Sequence, residues 1–283
     1  MVHVSARTDI MRRTAIATAA VLSAFLTPTA EAGQSLVRSA QSWSYQLTGN
    51  MSNIISSNAD VVVVDAESGG AAARFKTKPG GGRRAAIAYL SVGEAERWRG
   101  YWKSCCAGSS PSWLTSNTQG WAGNYVVKFW EPGWKAIVEA RVRDAFAKGY
   151  DGLYLDRIDT WERTGSKAQM IQFIREIAVQ ARSIKADAAI IVQNGEELLD
   201  NASYVSSIDA IAKEDLFHGV NHDGRRNPQP MISGSVQLLN RAKAQGKKIF
   251  VVEYLKGDTA ISVAAEIRKQ GFVPNFAGRN LSN

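Results

Sequence analysis

The stretch GYDGLYLDRIDTW, residues 149–161, decides the fold. Its middle, 152–155, is apolar throughout rather than at alternate positions. A strand reads that way when helices cover one face and a packed interior covers the other, as in a parallel sheet. The run stops on a charged cluster, Asp156, Arg157 and Asp159. A helical pattern precedes it. Trp134, Val138, Val142 and Ala145 recur at spacings that put them on one helix face. Pro132-Gly133 opens that helix, where the N–H a proline lacks would be unpaired anyway, and Gly149 closes it. Helix, apolar strand and acidic strand end form one α/β unit.

The same unit recurs along the chain. Apolar runs are predicted as strands at 43–47, 61–64, 85–90, 125–129, 152–155, 188–192, 208–212 and 249–252. A ninth run at 271–276 competes for the eighth place. Helical stripes lie between several of them: Met170, Ile174, Ile177 and Ala181; Val236, Leu239 and Ala242; Ile261, Ala264 and Arg268. Eight strands with interleaved helices in one domain, residues 33–283, predict a (β/α)8 TIM barrel of the α/β class. A doubly wound open sheet is the alternative. It calls for a Gly-rich nucleotide loop after the first strand, and Thr48-Gly49-Asn50-Met51 is not one. A long loop, 98–124, follows the third strand and carries Trp98, Tyr101, Trp102, Trp113 and Trp121. These aromatics either stack on sugar rings or pack as a cap on the barrel mouth.

The first 32 residues read as a secretory signal peptide rather than as fold. Arg12-Arg13 precede an apolar, Ala- and Leu-rich run, and Ala30-Glu31-Ala32 supplies the small residues of a cleavage site. No other stretch has the ~18 apolar residues of a membrane span, so a secreted protein with no membrane association after cleavage is expected. Removing 1–32 changes the net charge from +8 to +7, because Arg7, Arg12 and Arg13 leave with Asp9 and Glu31. The positive charges are scattered, with no nucleic-acid-binding signature beside them. The only cysteines, Cys105 and Cys106, are adjacent; they form a vicinal disulfide, pair with another molecule, or stay free. His218 and His222 sit in a Gly-bearing loop, FHGVNHDG, which argues against a zinc site. Residues 78–84, KPGGGRR, lack the Lys-Ser/Thr ending of a phosphate loop. No metal and no cofactor are expected.

The chemistry is positional. Asp65, Glu94, Asp156, Asp159, Glu214 and Glu253 all stand just past the C-terminal ends of apolar runs. In a barrel those positions converge on one mouth. Crowded carboxylates resist ionising together, so their pKa values spread. Glycosidic cleavage uses such a set: one carboxylic acid protonates the leaving oxygen while a second carboxylate attacks C1 or activates water. Asp156 is the strongest candidate, with Arg157 as a neighbour that favours its ionised form, and Glu214 is the candidate acid. Tyr45, Gln46, Tyr89, Gln193 and Asn194 offer hydrogen bonds from other strand ends, and Trp130 closes the fourth run.

Five motifs in order, WSYQL (43–47), DVVVVDAE (60–67), AYLSVGEAE (88–96), YVVKFWEPGW (125–134) and GYDGLYLDRIDTW, resemble the endo-α-1,4-polygalactosaminidase family of glycoside hydrolases. The resemblance runs over residues 40–277. It implies a TIM barrel that hydrolyses α-1,4-linked galactosamine polymers. It implies a site at Asp65, Glu94, Asp156 and Glu214, with Asp159 and Glu253 in support. The expected partner is therefore an amino-sugar polysaccharide. A cationic polymer is not steered toward a basic protein, so a local cluster of carboxylates has to hold the ammonium groups. The alternative function is a carbohydrate-binding barrel without hydrolysis, which has no need of a paired acid and base.

Overall fold

The computed structural model describes residues 1–2, 33–108, 110–117 and 122–282. Most of the expected signal peptide, and Trp121, lie outside the described residues. The chain divides into Met1–Ala30 and Glu31–Asn283, and the barrel is the second unit.

The strands in chain order are β1 (Trp43–Gln46), β2 (Val61–Asp65), β3 (Ala85–Ser91), β4 (Glu94–Glu96), β5 (Leu114–Asn117), β6 (Asn124–Val127), β7 (Gly152–Asp156), β8 (Ala189–Gln193), β9 (Ala210–Glu214), β10 (Lys248–Glu253) and β11 (Val273–Phe276). Eight of them run parallel in the order β1-β2-β3-β7-β8-β9-β10-β11. The Trp43 indole N–H donates to the Val273 carbonyl at 3.0 Å and draws the first and last strands together. The result is a nearly closed (β/α)8 barrel.

Two of the sequence expectations change places. The run at 125–129 is not a barrel strand. Its ordered part, β6, lies antiparallel between β4 and β5 in a separate three-stranded sheet over the mouth. Only its second half is buried, whereas a strand of a parallel barrel is covered along its length. The ninth run supplies the eighth barrel strand instead. β11 has a ladder partner on one side only, which is where Pro274 is tolerated without breaking a sheet.

Alternation along each strand separates two cores. Trp43, Tyr45, Val63, Ile87, Tyr154 and Phe250 fill the barrel interior, while Val62, Leu90, Leu155, Val192 and Val251 face the helices. On the helix Pro132–Ala147 the buried residues are Trp134, Val138, Val142 and Ala145, as the spacing predicts. Lys167–Ile184 buries Met170, Ile174, Ile177 and Ala181. On Gly257–Lys269 the phase differs from the expected one: Val263, Ala264 and Ile267 are buried, and Ile261 is exposed. The helix Gly33–Ser39 closes the opposite end of the barrel with Leu36 and Val37, and Arg38 pairs with the buried Asp209 at 2.6 Å.

Candidate active site

Period-two geometry turns alternate residues of each strand inward, toward one mouth at the strand ends. Asp65, Tyr89, Asp156, Gln193 and Glu214 come from the ends of β2, β3, β7, β8 and β9, and all line one cavity of about 220 Å³ at the C-terminal end of the barrel. Beneath them lies an aromatic floor. Tyr45 and Tyr154 sit 5.1 Å apart between ring centroids, and Trp43 is 5.1 Å from Phe250. A packed floor of this kind leaves the carboxylates no water from below, which raises the cost of charging them.

Asp156 shows that cost. Its Oδ2 accepts a hydrogen bond from the Tyr89 hydroxyl at 2.6 Å and its Oδ1 accepts one from the Arg157 amide at 2.7 Å. Burial pushes its pKa up to about 7; the Glu214 and Asp159 charges add to the rise, while Arg157 and the Tyr89 hydrogen bond oppose it. Glu214, across the mouth and half-buried, is surrounded by donors. The Tyr254 hydroxyl donates to its Oε1, and the Gln193 amide donates to Oε2 at 3.2 Å. Asn194 holds Glu214 twice, accepting its main-chain N–H at 3.0 Å and donating its side-chain amide to Oε2 at 3.5 Å. Burial drives the Tyr89 and Tyr254 hydroxyls well above the ordinary phenol range, so both remain protonated donors.

Two ion-paired groups frame this pair. Arg157 takes a left-handed backbone (φ 64°) and reaches the fully buried Glu94 through its Nη2. Gly93 makes that approach possible: a Cβ there would lie 2.0 Å from the Arg157 carbonyl. On the opposite wall Arg99 joins Asp65 to Glu96, donating Nε to Glu96 Oε2 at 2.7 Å. Asp65 spends its other oxygen on the Glu67 amide at 2.8 Å, as the cap of the short helix Ala66–Gly69.

Several residues singled out from sequence face elsewhere. Glu253 points outward, because Val252 lies on the interior face and its neighbour Tyr254 lines the cavity. Glu253 accepts the Phe217 amide at 2.7 Å and so braces the loop after β9, and burial raises its pKa to about 7. Gln46 is buried and ties the turn after β1 through the carbonyls of Thr48 and Asn50, each at 2.9 Å. Trp130 packs edge-on against Phe129 at 5.2 Å. Asp159 stands on the turn Ile158–Glu162, outside the cavity lining, and acts on Asp156 by charge alone.

The aromatic segment divides between its two expected roles. Tyr101 and Trp113 pack on Trp134 and Trp102 packs on Tyr125, which is the cap. Trp98, 59% exposed, stands on the cavity rim. Cys105 and Cys106 form a vicinal disulfide, and Cys106 is buried in the cap's core. Sequence reasoning missed Glu96, Arg99, Asn124, Tyr254 and Arg279, all of which line the cavity. Period two could have found Tyr254, which lies two residues beyond the inward Val252. Among the described residues no three His, Cys, Asp or Glu side chains stand close enough together to hold a metal ion.

The profile of glycoside-hydrolase family GH114 matches residues 26–283. An uncharacterized protein of Deinococcus radiodurans is 32% identical over 253 residues, which cover 85% of this chain and 81% of the relative. Among solved structures, the glycoside hydrolase domain of PelA from Pseudomonas aeruginosa matches with a TM-score of 0.69 at 21% identity, over 86% of this chain and 97% of that one. Aspergillus fumigatus Ega3, solved in complex with galactosamine, matches with a TM-score of 0.66 at 19% identity, over 86% of this chain and 93% of that one. At these identities the two structures speak to a shared barrel fold.

Proposed function

The chain belongs to glycoside-hydrolase family GH114, and on that premise we propose that it is an exported, endo-acting hydrolase of α-1,4-linked galactosamine-containing polysaccharide, with Asp156 and Glu214 as its working pair. The observation that carries this reading is the convergence of both carboxyls, each held by named donors, on one cavity rimmed by an exposed tryptophan. The complex of Ega3 with galactosamine supports an amino-sugar substrate for a protein of this fold. Export rests on the N-terminal residues, Arg12-Arg13, the apolar run and Ala30-Glu31-Ala32.

Burial, helped by the Glu214 and Asp159 charges, holds the Asp156 pKa up. An entering ammonium group favours the ionised form of Asp156, as the Arg157 charge already does. Glu214 is the acid of this reading and gives a proton to the glycosidic oxygen as the bond breaks. Asp156, fixed by Tyr89 and the Arg157 amide, meets the positive charge that develops at C1. Trp98 offers an apolar face to the C–H face of one sugar ring.

Incubation with α-1,4-linked galactosamine polymers of graded N-acetylation tests the reading. New reducing ends with a mixture of oligomer lengths are expected. Retention of the polymer without new reducing ends would replace the enzyme by a carbohydrate-binding barrel.

A further inference from the structure

The segment after β11 carries a residue that sequence analysis passed over. Arg279 lies between two anchors on the barrel rim. The Ala277 amide donates to the Glu253 carbonyl at 3.2 Å, and the Leu281 carbonyl accepts the Leu47 and Thr48 amides at 2.9 and 3.1 Å. Both contacts are main-chain bonds, so the position of Arg279 is set by the fold and not by its own side chain.

The guanidinium makes a fork with Asp215, Nη1 to Oδ2 at 2.9 Å and Nη2 to Oδ1 at 3.2 Å. Its plane lies over the Tyr254 ring at 4.3 Å from the centroid. Both partners lead to Glu214. Tyr254 donates its hydroxyl to Glu214, and Asp215 is the next residue in the chain. Asp215 also has a left-handed backbone, φ 51°, which few non-glycine residues take and Asp takes more readily than most. The third wall is tight: a Cβ on Gly219 would lie 2.4 Å from Asp215 Oδ1 and 2.9 Å from Arg279 Nη2. Asp223 borders the outer edge of the guanidinium at 2.6 Å from Nε.

We propose that Arg279 is a positioning residue for Glu214: it clamps Asp215 and the Tyr254 ring, and so fixes where the Glu214 carboxyl points within the cavity. The proposal rests on the hydrolase reading above. A planar fork that also stacks on an aromatic ring is work that a lysine cannot do. Loss of the clamp leaves substrate contacts on Trp98 and Asp156 in place and misplaces one reacting group, so the loss falls on kcat rather than on KM.

The variants are R279A, R279K and D215N, each checked for an unchanged melting temperature. On the galactosamine polymer, R279A is expected to lower kcat about 100-fold, the scale of a misplacement near 1 Å, with KM changed little. R279K is expected to stay impaired. Full kcat in R279A, or rescue by R279K, overturns the proposal, the second because it would reduce the role to a positive charge. A second readout does not need turnover. In a crystal structure of R279A the Glu214 carboxyl is expected to leave its place and to lose the hydrogen bond from the Tyr254 hydroxyl. An unmoved Glu214 carboxyl overturns the proposal even if the polymer proves to be the wrong substrate.

Discussion

Tyr89→Phe probes the carboxyl on which the chemistry turns. The Tyr89 hydroxyl donates to Asp156 Oδ2 at 2.6 Å inside the barrel and favours the ionised form of Asp156. A hydrogen bond to a charged acceptor is worth about 1.5–3 kcal/mol, and one pKa unit corresponds to about 1.4 kcal/mol, so removing it raises the Asp156 pKa by about one to two units. The starting value is about 7. The proposed mechanism needs Asp156 ionised, so kcat/KM rises with pH as this group loses its proton. The rising limb should therefore move from near 7 to about 8–9 in the variant. The assay is initial rate of reducing-end release at limiting polymer between pH 5 and 10. Because kcat/KM reports the free enzyme and free substrate, titration of the polymer's own amines is common to both proteins and cancels in the comparison. A limb that stays in place, or moves to lower pH, refutes the assignment. A falling limb near 7 in the wild type would make Asp156 the acid.

Asp156→Asn is expected to be inactive yet to gain stability relative to wild type as pH rises. The folded pKa of about 7 exceeds the unfolded value of ~3.9, so Asp156 loses stability for the fold as pH climbs between those values, by about 4 kcal/mol in total; a melting-temperature difference that stays flat from pH 4 to 8 contradicts this. Trp98→Ala is expected to raise KM about fivefold or more with little change in kcat, the mark of about 1 kcal/mol of lost stacking, as steady-state kinetics would report. Cleavage behind Ala32 would free the Gly33 amine 2.9 Å from Asp187 Oδ2. A chain starting at Gly33 should melt above one carrying an extra N-terminal residue, and Asp187→Asn should erase the difference.

Much of this was legible in the sequence because period and position carry it. The run before Asp156 is apolar on both faces, as a covered parallel strand is. Trp134, Val138, Val142 and Ala145 could face only one way. The errors have three sources. The sequence reading followed charge, and geometry follows parity. Glu253 ends its strand as Asp156 does, yet it points to the helices while the uncharged Tyr254 points to the cavity. The run at 125–129 has a strand's composition, but composition does not say which sheet a strand joins. Arg279 had no signal at all, because its partners Asp215 and Tyr254 are brought to it only by closure of the barrel.

The most direct test of the central claim compares wild type, Asp156→Asn and Glu214→Gln for reducing-end release from an α-1,4-linked galactosamine polymer. The account predicts cleavage by the wild type and a loss of about 10²–10⁴-fold or more in each variant, the scale of removing an acid or base from the reacting centre, with all three proteins folded by circular dichroism. Wild-type rates in both variants would contradict it.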